Sequence, residues 1–320
     1  MLVPFLVVIL GLAGLTWSAD RFVGAAAATA WRAGMSTLLV GMTIVSLGTS
    51  APEIIVSVMA SLDGAPNLAT GNALGSNIAN IAMVLGVTAL VVPIPVRFSI
   101  VRRELPLLLG GTGLAGYALA NGHLDRLDGL LLLLLLGFSL WWLFCADAPD
   151  ETQHEGIPGM PLWQALAWLV GTLAIMGASS RVLVWGASEL ARGLGVSELI
   201  IGLTVIAIGT SLPELAACVA SALKRHHDLA IGNVIGSNLF NMLAVLPMPA
   251  LLAPGATDPA AAGRDYPVML LLTLALGALL LWNRRGYLNR LPGALLVLAY
   301  LAYLARLGSA GAMAGGCPLE

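Results

Sequence analysis

The sequence predicts an all-α membrane protein with ten transmembrane helices arranged as two inverted five-helix repeats. Three observations predict it. The 320 residues are 58% hydrophobic and only 10% charged, with a mean hydropathy of +0.92, whereas soluble domains carry about 25% charged residues. Ten apolar stretches follow one another between polar or Pro/Gly-rich breaks. An internal duplication is the third: Ser36 to Ile81 aligns with Ser197 to Met242 at one constant offset and without gaps, with 19 of 46 positions identical. Five spans per copy is an odd number, so the second copy enters the bilayer upside down, as in many secondary transporters.

The spans are expected near 2–18, 35–61, 67–92, 104–120, 128–145, 162–190, 198–222, 229–252, 266–282 and 291–307, long or nearly long enough to cross a hydrocarbon core of about 30 Å. The first segment lacks a basic leader and a cleavage site, so it reads as a retained span. Residues 1–146 form the first repeat, with its motif at 41–80. Residues 147–161 are a linker in which Asp147, Asp150, Glu151 and Glu155 make a solvated acidic loop. Residues 162–307 form the second repeat, with its motif at 202–241, and 308–320 are expected to be a disordered tail. With the N-terminus outside, inner loops carry ten Lys and Arg against five on the outer side, so the positive-inside rule places both termini outside. The compact, loop-poor layout points to a bacterial or archaeal inner membrane.

Net charge is −2, which gives no sign of a nucleic-acid partner; the bilayer is the expected surroundings and no protein partner is expected. Cys145, Cys218 and Cys317 are odd in number and form no CxxC pair, which argues against a disulfide framework or a zinc site. No cofactor is expected.

The duplicated blocks are GMTIVSLGTSAPE (41–53) with GLTVIAIGTSLPE (202–214), and GNALGSNIAN (71–80) with GNVIGSNLFN (232–241). Each first block places a glutamate, Glu53 or Glu214, inside an apolar span. A carboxylate at the bilayer centre costs at least about 2.5–3.5 kcal/mol on insertion scales, so intramembrane acids mark function or a buried hydrogen bond. Recurrence at the same place in both copies favours function. Thr49 and Ser50 lie four and three residues before Glu53, on one helix face, and Ser46 extends it. Thr210, Ser211 and Glu214 repeat the pattern, with Ala207 in place of Ser46. Pro52 and Pro213 would each remove a helix hydrogen bond and free carbonyls around Gly48-Thr49 and Gly209-Thr210.

In the second block Asn72, Ser76 and Asn80 form one stripe at i, i+4 and i+8, repeated by Asn233, Ser237 and Asn241. Ser76, Asn80, Ser237 and Asn241 read as cation ligands. Asn77 and Asn238 point a quarter-turn away and read equally well as helix-to-helix hydrogen-bonders. Gly71 and Gly75, like Gly232 and Gly236, read as close helix packing. The collected donors are all oxygens, which suits a hard cation. Calcium takes 6–8 oxygens at about 2.3–2.6 Å, while softer metals call for Cys or His, and no span core offers those near the cluster. Two carboxylates balance one Ca²⁺ and would equally hold two or three monovalent ions.

At these residues the chain resembles the sodium/calcium exchanger branch of the cation/calcium antiporter superfamily, whose two signature repeats carry the GTSxPE and GNxxGSNxxN patterns. The resemblance covers essentially the whole chain. It implies a secondary active antiporter exchanging Na⁺ for Ca²⁺ by alternating access at a midplane site, with Glu53 and Glu214 as central ligands. Thr49, Ser50, Thr210, Ser211, Ser76, Ser237, Asn80 and Asn241 would support them, with carbonyl contributions near Ser46 and Ala207. The first and sixth spans would be the sliding elements. Some family members carry Asp where this chain has Asn241; an acid there is linked to potassium in the potassium-coupled branch, so Asn241 argues against potassium dependence. The regulatory calcium-binding loop of animal exchangers is absent.

Three other readings compete. A H⁺/Ca²⁺ antiporter could carry protons on the same glutamates, although proton-coupled relatives typically replace GTSxPE with a different acidic motif. An intramembrane enzyme would need a base near Ser50 or Ser211, but His123, His154, His226 and His227 fall in expected loops. A passive channel would lack saturable counter-flow.

Overall fold

A computed structural model of the chain describes residues 2–95, 98–146, 159–194, 207–282 and 287–314. It is mostly helical. The first half contains α1 (Leu2–Ala33), α2 (Thr37–Val40), α3 (Ser46–Thr49), α4 (Ala51–Leu62), α5 (Pro66–Ala79), α6 (Gly86–Val91), β1 (Ile94–Pro95), α7 (Phe98–Ala120), β2 (His123–Leu124) and α8 (Arg126–Ala146). The second contains α9 (Leu162–Gly193), α10 (Ala207–Thr210), α11 (Leu212–Leu223), α12 (His227–Phe240), α13 (Pro247–Leu252), β3 (Gly255–Ala256), α14 (Tyr266–Trp282), β4 (Tyr287–Leu288) and α15 (Arg290–Ala314). Segments of π-helix, Gly41–Val45, Asn80–Leu85 and Asn241–Val245, join α2 to α3, α5 to α6 and α12 to α13.

Among the described residues seven helices are long and apolar enough to cross a membrane, or eight if the bent pair Thr37–Thr49 and Ala51–Leu62 is one span. The expected spans at 104–120 and 198–222 fall on α7, which begins earlier, at Phe98, and carries Arg102, Arg103 and Glu104 ahead of its apolar stretch, and on α10–α11, whose upstream residues lie outside the described set. So does most of the acidic linker. Large apolar side chains face outward along α8, with Leu134, Phe138, Trp141 and Trp142 all exposed, as a surface solvated by lipid requires.

Two further boundaries differ from expectation. Helix α1 passes through Asp20 and Arg21 to Ala33 instead of stopping near residue 18. The alanine-rich stretch beyond them has the strongest helix propensity, and Lys224 holds Asp20 at 2.7 Å. Helix α15 likewise continues past Leu307 to Ala314, where alanine and methionine again favour helix. The strands are a smaller departure from an all-α chain. They are two-residue ladders, β1 with β4 and β2 with β3, and each clips a loop of one half to a loop of the other.

Helices α1 and α9 pack along each other through small residues. A Cβ on Gly11 would lie 2.8 Å from Leu183 Cβ, one on Gly14 2.5 Å from Ser179 Oγ, and one on Gly186 2.9 Å from the Pro4 carbonyl oxygen. Partner numbers fall as those of α1 rise, so the pair is antiparallel. A second core spans both halves, with Leu74, Ile78 and Ile81 packed with Ile235, Leu239 and Met242.

Helix α12 presses against the first-block helix. A Cβ on Gly232 would sit 2.6 Å from the Leu38 carbonyl oxygen, and one on Gly236 would sit 2.4 Å from that of Met42. The packing read for the glycine pairs therefore holds for Gly232 and Gly236. It does not hold for Gly71, which is exposed, or Gly75, where no described atom lies within 4 Å of a built Cβ.

Candidate functional site

Each half breaks its GTSxPE helix at the serine. Ser50 has φ −85°, ψ 0° and Ser211 φ −92°, ψ 7°, both in the sparsely allowed bridge region where active-site residues concentrate. In the first half the two pieces meet at 43°. The prolines therefore do not kink a continuous helix, as the sequence suggested. Pro52 and Pro213 sit in the opening turn of α4 and α11, where a missing N–H leaves no bond unmade. Glu53 and Glu214 occupy the same opening turns, so the positive end of each half-helix dipole faces a carboxylate.

These side chains are deeply buried: Glu53 and Glu214 are each 2% exposed. Ser46, Thr49, Ser50, Ser76, Asn80, Ser211, Ser237 and Asn241 are buried too. Thr49 crosses between halves. Its hydroxyl donates to Asn233 Oδ1 at 3.2 Å and lies 3.4 Å from Ser237 Oγ. The π-helical segments close the arrangement: that beginning at Asn241 packs on α4, and that beginning at Asn80 packs on α11. Such bulges recur at functional sites. The Val245 carbonyl, within one of them, accepts from Ser57 Oγ at 3.0 Å.

Several polar atoms here have no hydrogen-bond partner in the protein: Ser50 Oγ, Glu53 Oε2, Asn80 Oδ1, Glu214 Oε2, and both Oδ1 and Nδ2 of Asn241. Folded proteins pair nearly all buried polar groups, and exceptions call for an ion, water or function. Oxygens of two carboxylates, an alcohol and two amides, buried and unpaired within the protein, are the donor types that suit a hard cation.

The predicted donors are not placed alike. Thr210, unlike buried Thr49, is exposed and lines a cavity of about 590 Å³ with Pro52, Ser180, Arg181 and Gly209. Ser46 turns its hydroxyl back onto the Met42 carbonyl at 2.6 Å. Its own carbonyl accepts the Ser50 N–H at 2.9 Å. Ala207 opens α10. The freed Gly209 carbonyl is taken by Ser180 Oγ of α9 at 2.6 Å, so it serves as an anchor for that helix rather than an open ligand. Ser180→Ala should remove about 1 kcal/mol of local stability. Hydrogen exchange would show it as lost amide protection across 207–215, with none lost in α5.

Two asparagines were read only as part of a stripe. Asn72 Nδ2 donates to the Glu53 carbonyl at 3.1 Å and holds the turn that carries the acid. Asn233 accepts from Thr49 and donates to Cys218 Sγ at 3.3 Å. Cys218 itself corrects the expectation of no sulfur near the cluster; it is four residues after Glu214, a same-face spacing that signals it. Asn77 bonds across helices to Met269 Sδ at 3.5 Å, whereas Asn238 bonds within its own helix to Val234 O at 2.7 Å.

Known proteins align with this arrangement. The family model described as "Sodium/calcium exchanger protein" matches residues 3–145 and again 164–308. CaxA of Alkalimonas amylolytica, named as a candidate antiporter, is 49% identical over 95% of this chain and 98% of its own. The inner membrane protein YrbG of Escherichia coli is 44% identical over 96% and 97%. Among solved structures, the sodium-calcium exchanger NCX_Mj soaked with 10 mM Na⁺ and no Ca²⁺ superposes with a TM-score of 0.82 at 29% identity, over 95% of this chain and 98% of that one.

Proposed function

The chain belongs to the sodium/calcium exchanger protein family, and from that premise we propose that it exchanges Na⁺ for Ca²⁺ by alternating access at the site around Glu53 and Glu214. The observation that carries this reading is the set of buried, unpartnered polar atoms on Ser50, Glu53, Asn80, Glu214 and Asn241, drawn from both halves.

The chemistry follows from the breaks. Each half-helix N-terminus stabilises its glutamate while unbonded, and the hydroxyls and amides complete an oxygen shell for a dehydrated ion. Without a cation the two carboxylates repel each other in a low-dielectric setting, so the protein crosses between its two orientations only when loaded. That restriction is what couples the opposed fluxes. Helices α1 and α9 are the sliding pair in this proposal. The metal residues are those named from the sequence, with Asn72 and Asn233 as positioning groups; Asn241 argues against a potassium-dependent reading.

The architecture proposed is ten spans in two inverted halves. The doubled family match, the near-identical breaks at Ser50 and Ser211, and the antiparallel packing of α1 on α9 support it. Both termini lie outside and the membrane is the bacterial or archaeal inner membrane, by the distribution of basic residues and the name of the Escherichia coli relative.

The test is ⁴⁵Ca²⁺ uptake into proteoliposomes loaded with Na⁺, with K⁺-loaded and pH-gradient controls. Uptake that requires internal Na⁺ is the expected result. Uptake driven only by the pH gradient would transfer the assignment to H⁺/Ca²⁺ exchange on the same glutamates, and uptake indifferent to every gradient would overturn antiport.

A further inference from the structure

We propose that Cys218 is a positioning residue for the cation shell: its sulfur fixes the orientation of the Asn233 amide, and that amide takes the hydroxyl protons of Thr49 and Ser237, leaving the lone pairs of both oxygens to the transported ion. The proposal deepens the antiport reading and rests on it for the identity of the ion.

The relay starts at a backbone carbonyl. Ala230 O, in the first turn of α12, can only accept, and the Cys218 thiol donates to it at 3.5 Å. That commits the thiol proton and leaves the sulfur to accept from Asn233 Nδ2 at 3.3 Å. With its N–H end held on sulfur, Asn233 turns Oδ1 the other way, where it accepts from Thr49 Oγ1 at 3.2 Å and from Ser237 Oγ at 3.5 Å. The Ser46 carbonyl offers the Thr49 hydroxyl a longer second contact at 3.4 Å. A hydroxyl has one proton and two lone pairs, so one that donates to Asn233 keeps its lone pairs for a cation. The reversed amide would present N–H groups to the same two oxygens. It would occupy their lone pairs and turn their protons toward the ion, which repels them.

Thr49, Cys218, Asn233 and Ser237 are all buried, where hydrogen bonds are strong and an unpaired group is costly. Glu214 stands one helical turn before Cys218 with its Oε2 unpartnered, so the relay lies against the shell. The first half does not repeat it. Ser57 occupies the place that matches Cys218 but donates to the Val245 carbonyl at 3.0 Å, and Asn72, the counterpart of Asn233, donates to the Glu53 carbonyl at 3.1 Å. A buried cysteine can also act as a small hydrophobe, in which case only its shape would matter. The two roles predict opposite orders for two substitutions.

Cys218→Val keeps the bulk and loses both hydrogen bonds, whereas Cys218→Ser keeps a donor and an acceptor in a smaller side chain. In proteoliposomes Cys218→Val should raise the KM for Ca²⁺ roughly 10-fold, the lower end of what removing the group behind a metal ligand does, with the maximal rate little changed. Cys218→Ser should restore most of the affinity. The same order should appear in the Ca²⁺-dependent rise of the melting temperature in detergent, which reads binding whatever ion drives transport. Na⁺-dependent uptake by the wild type checks the antiport reading separately, and its absence would sink that reading rather than this one. On an Asn233→Ala background Cys218→Val should cost nothing further, because the sulfur acts only through that amide. Cys218→Ser as impaired as Cys218→Val, or Cys218→Val indistinguishable from the wild type, would make the residue a packing group and overturn the proposal. Additive losses in the double variant would do the same. If Cys218→Val fails to fold, Cys218→Ala takes its place in each comparison.

Discussion

Glu53→Gln is expected to lower Na⁺-driven Ca²⁺ uptake by about 100-fold. Truncating one partner of a buried charge pair costs binding about 2–5 kcal/mol, and each 1.4 kcal/mol is a factor of ten. The remaining carboxylate balances half of the calcium charge. Glu214→Gln should do the same. Because the two acids are proposed to serve one ion, the double variant should lose no more than either single variant, as groups acting together do. Thermal stability should move the other way. A neutral amide is cheaper to bury than a carboxylate, so both variants should melt at or above the wild-type temperature in detergent. Lost transport with lost stability would instead make the glutamates structural.

Gly236→Ala has the second largest expected effect, and it falls on the fold. The new methyl group would meet the Met42 carbonyl oxygen at 2.4 Å and Ser46 Oγ at 2.5 Å. The first contact is backbone and has little room to yield. Overpacking of this kind costs about 1–3 kcal/mol, seen as a melting temperature several degrees lower and reduced uptake. Gly71→Ala is the control. Gly71 is exposed, and alanine in a helix gains roughly 0.5–1 kcal/mol over glycine, so it should melt no lower than wild type. Equal effects at the two positions would mean that α5 and α12 pack alike.

That asymmetry marks the limit of what the sequence disclosed. The repeat is legible because identity at a fixed offset survives in the residues that carry charge and oxygen, and Glu53, Thr49 and Ser76 are found by helical spacing alone. Sequence symmetry, however, predicts equal surroundings for Gly75 and Gly236, or Thr49 and Thr210, and the structure gives each pair different ones. A single conformation of two facing halves has no reason to treat them alike. The π-helical turns at Asn80 and Asn241 leave no pattern of their own, since one extra residue per turn alters hydrogen bonding without changing residue type. The Ser180 anchor was hidden for a different reason: Ala19 stands at the matching place in the first half, so the duplication pointed away from it. The length of α1 was missed because Asp20 and Arg21 read as a loop until Lys224 is seen beside Asp20.

Helices α1 and α9 contain 32 residues each, about 48 Å of helix at 1.5 Å per residue, against a hydrocarbon core of about 30 Å. They fit by leaning or by projecting beyond it. Displacing either along its axis exchanges one set of side chains in the acyl region for another, and each ångström of mismatch carries a fraction of a kcal/mol. The bilayer is then a mechanical load on the cycle. Acyl-chain length should set turnover while leaving ion affinity at the shell proposed around Glu53 and Glu214 unchanged.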